Sequence, residues 1–227
     1  MAMRNSIKTR RKAKDGFTFG IIYFCAFFTV AALIAIVGYI LINGLGGINW
    51  EFLSALYKPG LGQEGIWPMI VSTLMLIGLT VIIATPIGIL SAIYLSEYAK
   101  KGALLELIRF ATESLSGIPS IIYGLFGYAF FVVVCGLKLS IRSGALTLSI
   151  MVLPIIIRTT EEALLAIPQS YREGSLALGA GKLTTILRVV LPSAIGGILT
   201  SVILSIGRMV GETAALDLSP TLVRPLE

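Results

Sequence analysis

The 227 residues are 56% hydrophobic and 13% charged and include no histidine, whereas a soluble domain is usually about 45 to 50% apolar and 25% charged, so the composition excludes one and indicates an integral membrane protein. The net charge of +6 does not call for nucleic acid, because Arg4, Lys8, Arg10, Arg11, Lys12 and Lys14 form one block directly before an apolar run, which is a topology signal. With no histidine and two isolated cysteines, Cys25 and Cys135, no metal site or nucleophile constellation can be assembled. Both cysteines fall in predicted spans and are expected as packed hydrophobes.

Residues 1–16 form a basic N-terminal segment. The run 17–42 is continuously apolar over about 26 residues, against the roughly 20 that cross a bilayer, and it is too long for a signal-peptide core. A glycine-rich outer loop, 43–66, follows, with Trp50, Tyr57 and Trp67 as interfacial aromatics. The second span covers 67–96, with Pro86 expected to kink it or free a carbonyl. Residues 97–113 carry Lys100, Lys101 and Arg109 and read as an inner loop. The third span, 116–137, opens with Ser116, Ser120 and Gly124, a small-residue stripe that invites close helix packing. After a short outer turn comes a fourth span, 143–158, expected to break near Pro154. The inner segment 159–191 and a fifth span, 192–215, complete the path.

Lys and Arg number six before the first span, then one, three, two and four in the successive loops. That alternation follows the positive-inside rule at each step and puts the N-terminus and 159–191 in the cytoplasm. The expected fold is all-α and polytopic, with five transmembrane helices.

Within the inner segment lies a polar island, 170–192. Ser170 followed by Glu173 has the spacing of a capping box. Gly179 or Gly181 then ends a short helix, and a second helix over about 183–190 leads to Pro192 in the first turn of the next element. Taken locally this is either a capped connector or a docking element.

The fifth span carries a second small-residue stripe, Ser193, Gly197, Ser201 and Ser205. At about 100° per residue, Arg208 and Glu212 lie within roughly 20° of Ser201, which points both charges into the packing face. A charge in the bilayer costs at least about 2.5 to 3.5 kcal/mol and so marks a pathway or a partner. The alternatives are that the two neutralise each other at i,i+4 spacing, or that Arg208 snorkels outward from its position about 24 Å beyond Pro192. An anionic ligand suits the planar, permanently charged guanidinium.

These residues resemble the membrane subunits of bacterial ABC importers. That family's cytoplasmic signature is Glu-Ala-Ala, three residues, Gly, nine residues, then Ile, any residue, Leu-Pro. Here the same spacing holds Glu173, Gly174, Ser175, Gly179, Val189, Leu191 and Pro192. The runs Gly117-Ile118-Pro119-Ser120, Leu153-Pro154-Ile155-Ile156-Ile157-Arg158-Thr159-Thr160-Glu161-Glu162 and Gly211-Glu212-Thr213-Ala214-Ala215 narrow the likeness to phosphate importer permeases.

The resemblance implies a type I importer permease in the bacterial inner membrane, with a permease domain at 17–216, a coupling loop at 159–191 and an atypical tail at 217–227. It implies that 170–192 docks on a separate ATPase subunit, and that Arg158, Arg208 and Glu212 stand on the phosphate path. The implied partners are a sister permease (PstC-like), an ATPase dimer (PstB-like), a periplasmic phosphate-binding protein (PstS-like) and membrane lipid, with no nucleic acid. No enzymatic activity and no cofactor are expected of this chain, which has no Gly-rich phosphate loop; ATP and Mg belong to the partner. The family has a sixth span after Gly-Glu-Thr-Ala, whereas this sequence continues Asp217-Leu218-Ser219-Pro220 to Glu227, the expectation being a truncated permease or a non-transporting fragment. The residues alone also suit an ion-coupled anion carrier without an ATPase, or a sulfate or molybdate permease.

Overall fold

The computed structural model describes residues 2–58 and 63–212, so the expectation for the tail at 217–227 lies outside the described residues. The chain divides into two units, Met1–Ile66 and Trp67–Glu227. The first holds α1 (Ala2–Gly44), a 3-10 turn, α2 (Trp50–Ser54) and two paired antiparallel strands, β1 (Tyr57–Lys58) and β2 (Gln63–Glu64). The stretch Thr18–Gly47 is long and apolar enough to cross a membrane. Phe24, Phe28, Ile34 and Ile42 are exposed along it, and so is Cys25, a surface suited to lipid contact.

The second unit is a helical bundle: α3 (Trp67–Ile93), α4 (Ala103–Ser116), α5 (Ser120–Gly127), α6 (Ile141–Leu165), α7 (Gln169–Ala177), α8 (Lys182–Thr185) and α9 (Leu191–Gly211). Wide π turns extend α3 over Tyr94–Tyr98 and α5 over Tyr128–Val134, and a third, Ile186–Val190, joins α8 to α9. Helix α6 is central. It is buried from Ser143 to Leu164 and packs on α3, α4, α5 and α9. Its N-terminus is a reciprocal box in which Ser140 Oγ accepts from the Ser143 amide at 3.4 Å and Ser143 Oγ from the Ser140 amide at 3.2 Å.

Lipid tails are as apolar as leucine, so association of these helices rests on close contact and hydrogen bonds rather than on escape from water. The contacts bear this out. A Cβ on Gly88 of α3 would lie 2.5 Å from Ile156 Cγ2, one on Gly127 of α5 would lie 2.0 Å from Thr147 Oγ1, and one on Gly197 of α9 would lie 2.3 Å from Ala163 Cβ. Three neighbours thus approach α6 through a glycine. Thr160 and Ser201 share a hydrogen bond of 3.1 Å between α6 and α9. Around these contacts sit two apolar clusters, one centred on Leu148, Met151, Val152 and Ile156, the other on Leu164, Val190 and Ala194.

The pairs also give directions. Thr80 meets Ala145 and Gly88 meets Ile156, so α3 and α6 run parallel. Ala163 meets Gly197 and Thr160 meets Ser201, so α9 is antiparallel to α6. An in-out path in which the second and fourth spans descend and the fifth returns has these directions.

Several expectations are corrected. Pro154 does not break the fourth span: α6 continues to Leu165 through it. Helix neighbours in a bundle compensate the lost backbone bond. Pro192 stands in the first turn of α9 as expected, but α8, the π turn and α9 run on as one helix, Lys182–Gly211, the wide π turn making room for the proline ring. The segment between α6 and that helix is therefore shorter than 159–191 and spans 166–181. The third span is not one helix over 116–137. Helix starts earlier, at Ala103, and Gly117-Ile118-Pro119 bends α4 against α5 by 96°. Ser120 to Val134 is then about 22 Å long, less than the roughly 30 Å hydrocarbon core. The bend separates Ser116 from Ser120 and Gly124, so they form no single stripe. It is pinned instead by Tyr123 Oη donating to Leu115 O at 2.8 Å. Cys135 lies past the end of this segment and is exposed, so neither cysteine is a packed hydrophobe.

Candidate functional site

At the end of the bundle where α3 and α6 finish, α7 and α8 form a helical hairpin. Helix α7 starts after Pro168, and no side chain caps it. The expected box of Ser170 and Glu173 is therefore not formed: Ser170 already lies within the helix, past the capping position, and Glu173 is exposed. The proline presets the entry instead. The exit matches expectation at Gly179, whose φ of +84° lies in the left-handed region. Its amide donates to Leu176 O at 2.9 Å and that of Ala180 to Ser175 O at 3.2 Å, the paired bonds of a Schellman motif. A Cβ at Gly179 would touch nothing, so a Gly179→Ala variant is expected to lose roughly 1 to 2 kcal/mol through backbone conformation alone. Faster proteolysis at the 178–181 turn, with the bundle otherwise intact, is the readout.

The hairpin arms are tied to each other by Ser175 and Thr185, whose hydroxyls are 2.9 Å apart. They are tied to the bundle by charges. Arg172 donates to Glu97 Oε1 from Nε at 3.0 Å and from Nη2 at 2.7 Å, to Leu164 O at 2.8 Å and to Ile167 O at 2.8 Å. Lys182 Nζ donates to Glu97 O and lies 4.6 Å above the Tyr98 ring. Tyr171, Leu176, Leu178 and Leu183 remain exposed on the hairpin, Leu178 at 90%. Gly174 is exposed beside them, whereas Val189 and Leu191 are half-buried in the long helix and Pro192 is exposed in the first turn of α9. The signature is thus split between a hairpin and the first turns of a span.

A second charged cluster sits where α4 passes the last turns of α6. Arg109 donates to Glu161 Oε1 at 2.9 and 2.6 Å. Arg158 pairs with Glu113 at 2.9 Å and with Glu162 at 3.1 Å. These five residues and Thr112 line a cleft of about 250 Å³. Two guanidiniums among three carboxylates can hold each other closed or exchange partners with an incoming ion.

Arg208 lies in the last turn of α9, half-buried and within electrostatic reach of the Tyr123 phenol on α5. Glu212 follows as the C-cap residue, also half-buried. Of the expected stripe, Ser201 and Ser205 are buried and Gly197 packs on Ala163, while Ser193 is exposed. With Thr160 level with Ser201, Arg208 stands about five residues, or ~8 Å, from the level of Arg158. The structure therefore assembles two separate centres, Arg158 with α4 and Arg208 with α5, rather than one.

Sequence reasoning did not single out Arg172, Glu97 or Lys182. The available signal was charge: Glu97 follows the second span directly and Arg172 precedes Glu173, both on the side marked by Lys and Arg.

The second unit is thus a bundle of membrane-length helices with a helical hairpin at one end. Residues 84–218 match the family described as binding-protein-dependent transport system inner membrane component, and the chain belongs to that family of ABC importer permeases. It is 34% identical over 215 residues to the probable ABC transporter permease protein YqgI of Bacillus subtilis, covering 95% of this chain and 73% of that protein. It is 35% identical over 208 residues to the phosphate transport system permease protein PstA of Pasteurella multocida, covering 91% and 73%. To the PstA protein of Xylella fastidiosa it is 36% identical over 77% of this chain, which spans 61% of that relative. Among solved structures, the inward-facing MetNI methionine ABC transporter shares the fold, with a TM-score of 0.55 at 23% identity over 71% of this chain and 76% of that one. The chain is a multi-pass membrane protein of this permease fold.

Proposed function

We propose that this chain is the permease subunit of an ATP-driven phosphate importer, and that the α7–α8 hairpin docks on a separate ATPase subunit at the cytoplasmic face. The observation that carries the proposal is the hairpin: Glu173, Gly174, Ser175 and Gly179 stand on an element that exposes Tyr171, Leu176, Leu178 and Leu183. Exposed apolar side chains on a polar, rigid projection call for a protein partner. The phosphate reading draws on the relatives named PstA. It brings with it a PstC-like sister permease, a PstB-like ATPase dimer that uses ATP and Mg, and a PstS-like binding protein. The N-terminus then lies in the cytoplasm, as its six basic residues favour.

In this reading Arg208, Glu212 and Arg158 serve the substrate path. Arg208 keeps its charge in any dielectric and lies within electrostatic reach of Tyr123 on α5, and Arg158 stands in a cleft whose carboxylates can release it. ATP-driven closure of the ATPase pair moves the hairpin and the long helix Lys182–Gly211 behind it. Uptake of labelled phosphate by cells carrying the chain with its partners is the test. An Arg208→Ala variant is expected to lose uptake by about tenfold or more, the equivalent of one charge-assisted hydrogen bond, with unchanged membrane insertion. Normal uptake removes Arg208 from the path. Purification with no soluble ATPase attached favours an ion-coupled carrier, and uptake of sulfate or molybdate in place of phosphate reassigns the substrate.

A further inference from the structure

We infer that Arg172 is a positioning residue that makes the hairpin and the ends of α3 and α6 one mechanical unit, with Glu97 as the fixed point of that unit. The inference rests on the coupling reading of the hairpin and names the device by which coupling reaches the spans. A single guanidinium here makes four bonds to three elements: two to the Glu97 carboxylate beyond α3, one to Leu164 O in the last turn of α6, and one to Ile167 O in the connection to α7. The side chains are 13% and 9% exposed, so water competes little for these bonds.

Bond directions show why arginine stands at 172. The last carbonyls of a helix have no partners within it, and a cation at that end suits the helix dipole. Four bonds to these two carbonyls and the carboxylate use the five N–H groups of a planar fork, whereas a lysine ammonium has three donors on one nitrogen and cannot reproduce all four; Leu164 O also accepts from the Ile167 amide at 3.3 Å. The second arm is fixed to the same place, since Lys182 donates to Glu97 O and covers Tyr98. Ser175 and Thr185 then close the hairpin between its two attachments. The hairpin meets the bundle through Glu97, and its far end, Leu178, is left free to meet a partner. Displacement of that end by the ATPase is transmitted to α3 and α6 through Arg172 and to α9 through the continuous helix from Lys182. Without the clamp, α9 alone would follow the ATPase, and α3 and α6 would lag.

A plain structural cap makes a different forecast, because it would stabilise α6 without linking hydrolysis to transport. Glu97→Gln keeps the shape and removes the charge; Glu97→Asp keeps the carboxylate; Arg172→Lys keeps the charge and removes the fork. Each is compared with the unaltered chain in the full complex reconstituted in vesicles. Phosphate taken up per ATP hydrolysed is expected to fall about tenfold for Glu97→Gln, the equivalent of the charge-assisted bonds lost. It should fall at least as far for Arg172→Lys, which loses the fork and with it bonds to the carbonyls, and least for Glu97→Asp, with basal ATP hydrolysis within about twofold of the unaltered complex in all three.

Amide hydrogen exchange on the full chain supplies a readout that does not need the partners. In Glu97→Gln, exchange over 169–185 is expected to speed up while the α6 core at 145–156 stays protected. Equal exchange over 169–185 in the two proteins overturns the clamp, and unchanged uptake per ATP despite faster exchange overturns its coupling role. Failure of the unaltered chain to recruit any ATPase overturns the coupling reading itself, and the exchange measurement then still decides whether Arg172 fixes the hairpin.

Discussion

A Gly127→Val substitution is expected to prevent α5 from seating on α6 and to give a large loss of folded protein. The added Cβ would lie 2.0 Å from Thr147 Oγ1, 2.4 Å from Thr147 Cγ2 and 2.8 Å from Thr147 Cβ. Threonine is β-branched and stiff at χ1, and Thr147 is further held by donating to Ser143 O at 2.8 Å. The obstacle therefore cannot swing aside, and one of the helices must move. Overpacking of this kind costs typically 1 to 3 kcal/mol and sometimes more, so about 3 kcal/mol is expected here. The measurement is the yield of monodisperse protein and its thermal midpoint in detergent. Gly78 of α3 is the internal comparison: a Cβ there meets nothing within 4 Å, and Gly78→Ala should be neutral or stabilising by up to about 1 kcal/mol through helix propensity. If Gly127→Ala is poorly tolerated, adding Thr147→Ala should restore part of the loss, as expected for two sites in direct contact. Equal yields for Gly78→Ala and Gly127→Val would refute close glycine contact as the basis of α5–α6 packing.

The second large effect is expected at the ion pair between α4 and α6. Glu161 is 9% exposed in its side chain and both of its bonds come from Arg109, which is 44% exposed. An Arg109→Leu variant leaves a carboxylate among packed helices with its cation gone. Removing one partner of a fully buried pair costs about 3 to 5 kcal/mol; with one side of this pair half open to solvent, about 2 kcal/mol is a fair expectation. The companion variant Glu161→Gln removes the charge that would otherwise be stranded. Combined with Arg109→Leu it should recover more than half of the loss, and a double-mutant cycle on thermal midpoints reads the coupling directly. Additive losses would show that α4 is held to α6 by its apolar contacts and not by this pair. The bend after α4 gives the pair its importance: α4 and α5 diverge by 96°, so each half must be anchored to α6 separately, α4 through Arg109 and Arg158 and α5 through Gly127.

Much of the path across the membrane was legible in the residues. The length of the apolar runs located four of the membrane-length helices, because a bilayer demands about 20 apolar residues whatever the neighbours are. The spacing of Glu173, Gly179 and Pro192 marked the hairpin, and Gly179 ended its first helix as a residue free to adopt a positive φ must. Gly197, Ser201 and Ser205 marked the packing face of α9 for the same kind of local reason: small residues one turn apart let backbones approach.

Prolines were the least legible signal. Pro154 read locally as a break and Pro192 as the start of a new element, yet Pro154 lies inside a continuous helix and Pro192, though in the first turn of α9, is preceded by helix from Lys182. The cost of a lost backbone bond depends on what surrounds it, and here a packed bundle and a π turn absorb it. Pro119, by contrast, stands between helices: α4 ends at Ser116 with Gly117 as its C-cap, Pro119 is the N-cap of α5, and a tyrosine bridges the gap. Three prolines with the same covalent chemistry thus have two outcomes, continuation or a bend, set by their neighbours.

The sequence by itself determined the solvent of this protein, four of its membrane-length helices, and the position of the hairpin among them, since each of these follows from composition and spacing along a single segment. Only the tertiary structure decided which residues work together. Arg172 and Glu97 are 75 positions apart, Arg109 and Glu161 are 52 apart, and Thr160 and Ser201 are 41 apart. No periodicity within one element can report such pairs. They exist because α3 and α6 end at the same level, α4 climbs beside the last turns of α6, and α9 returns antiparallel to it, and these are properties of helices packed through glycines rather than of any one helix.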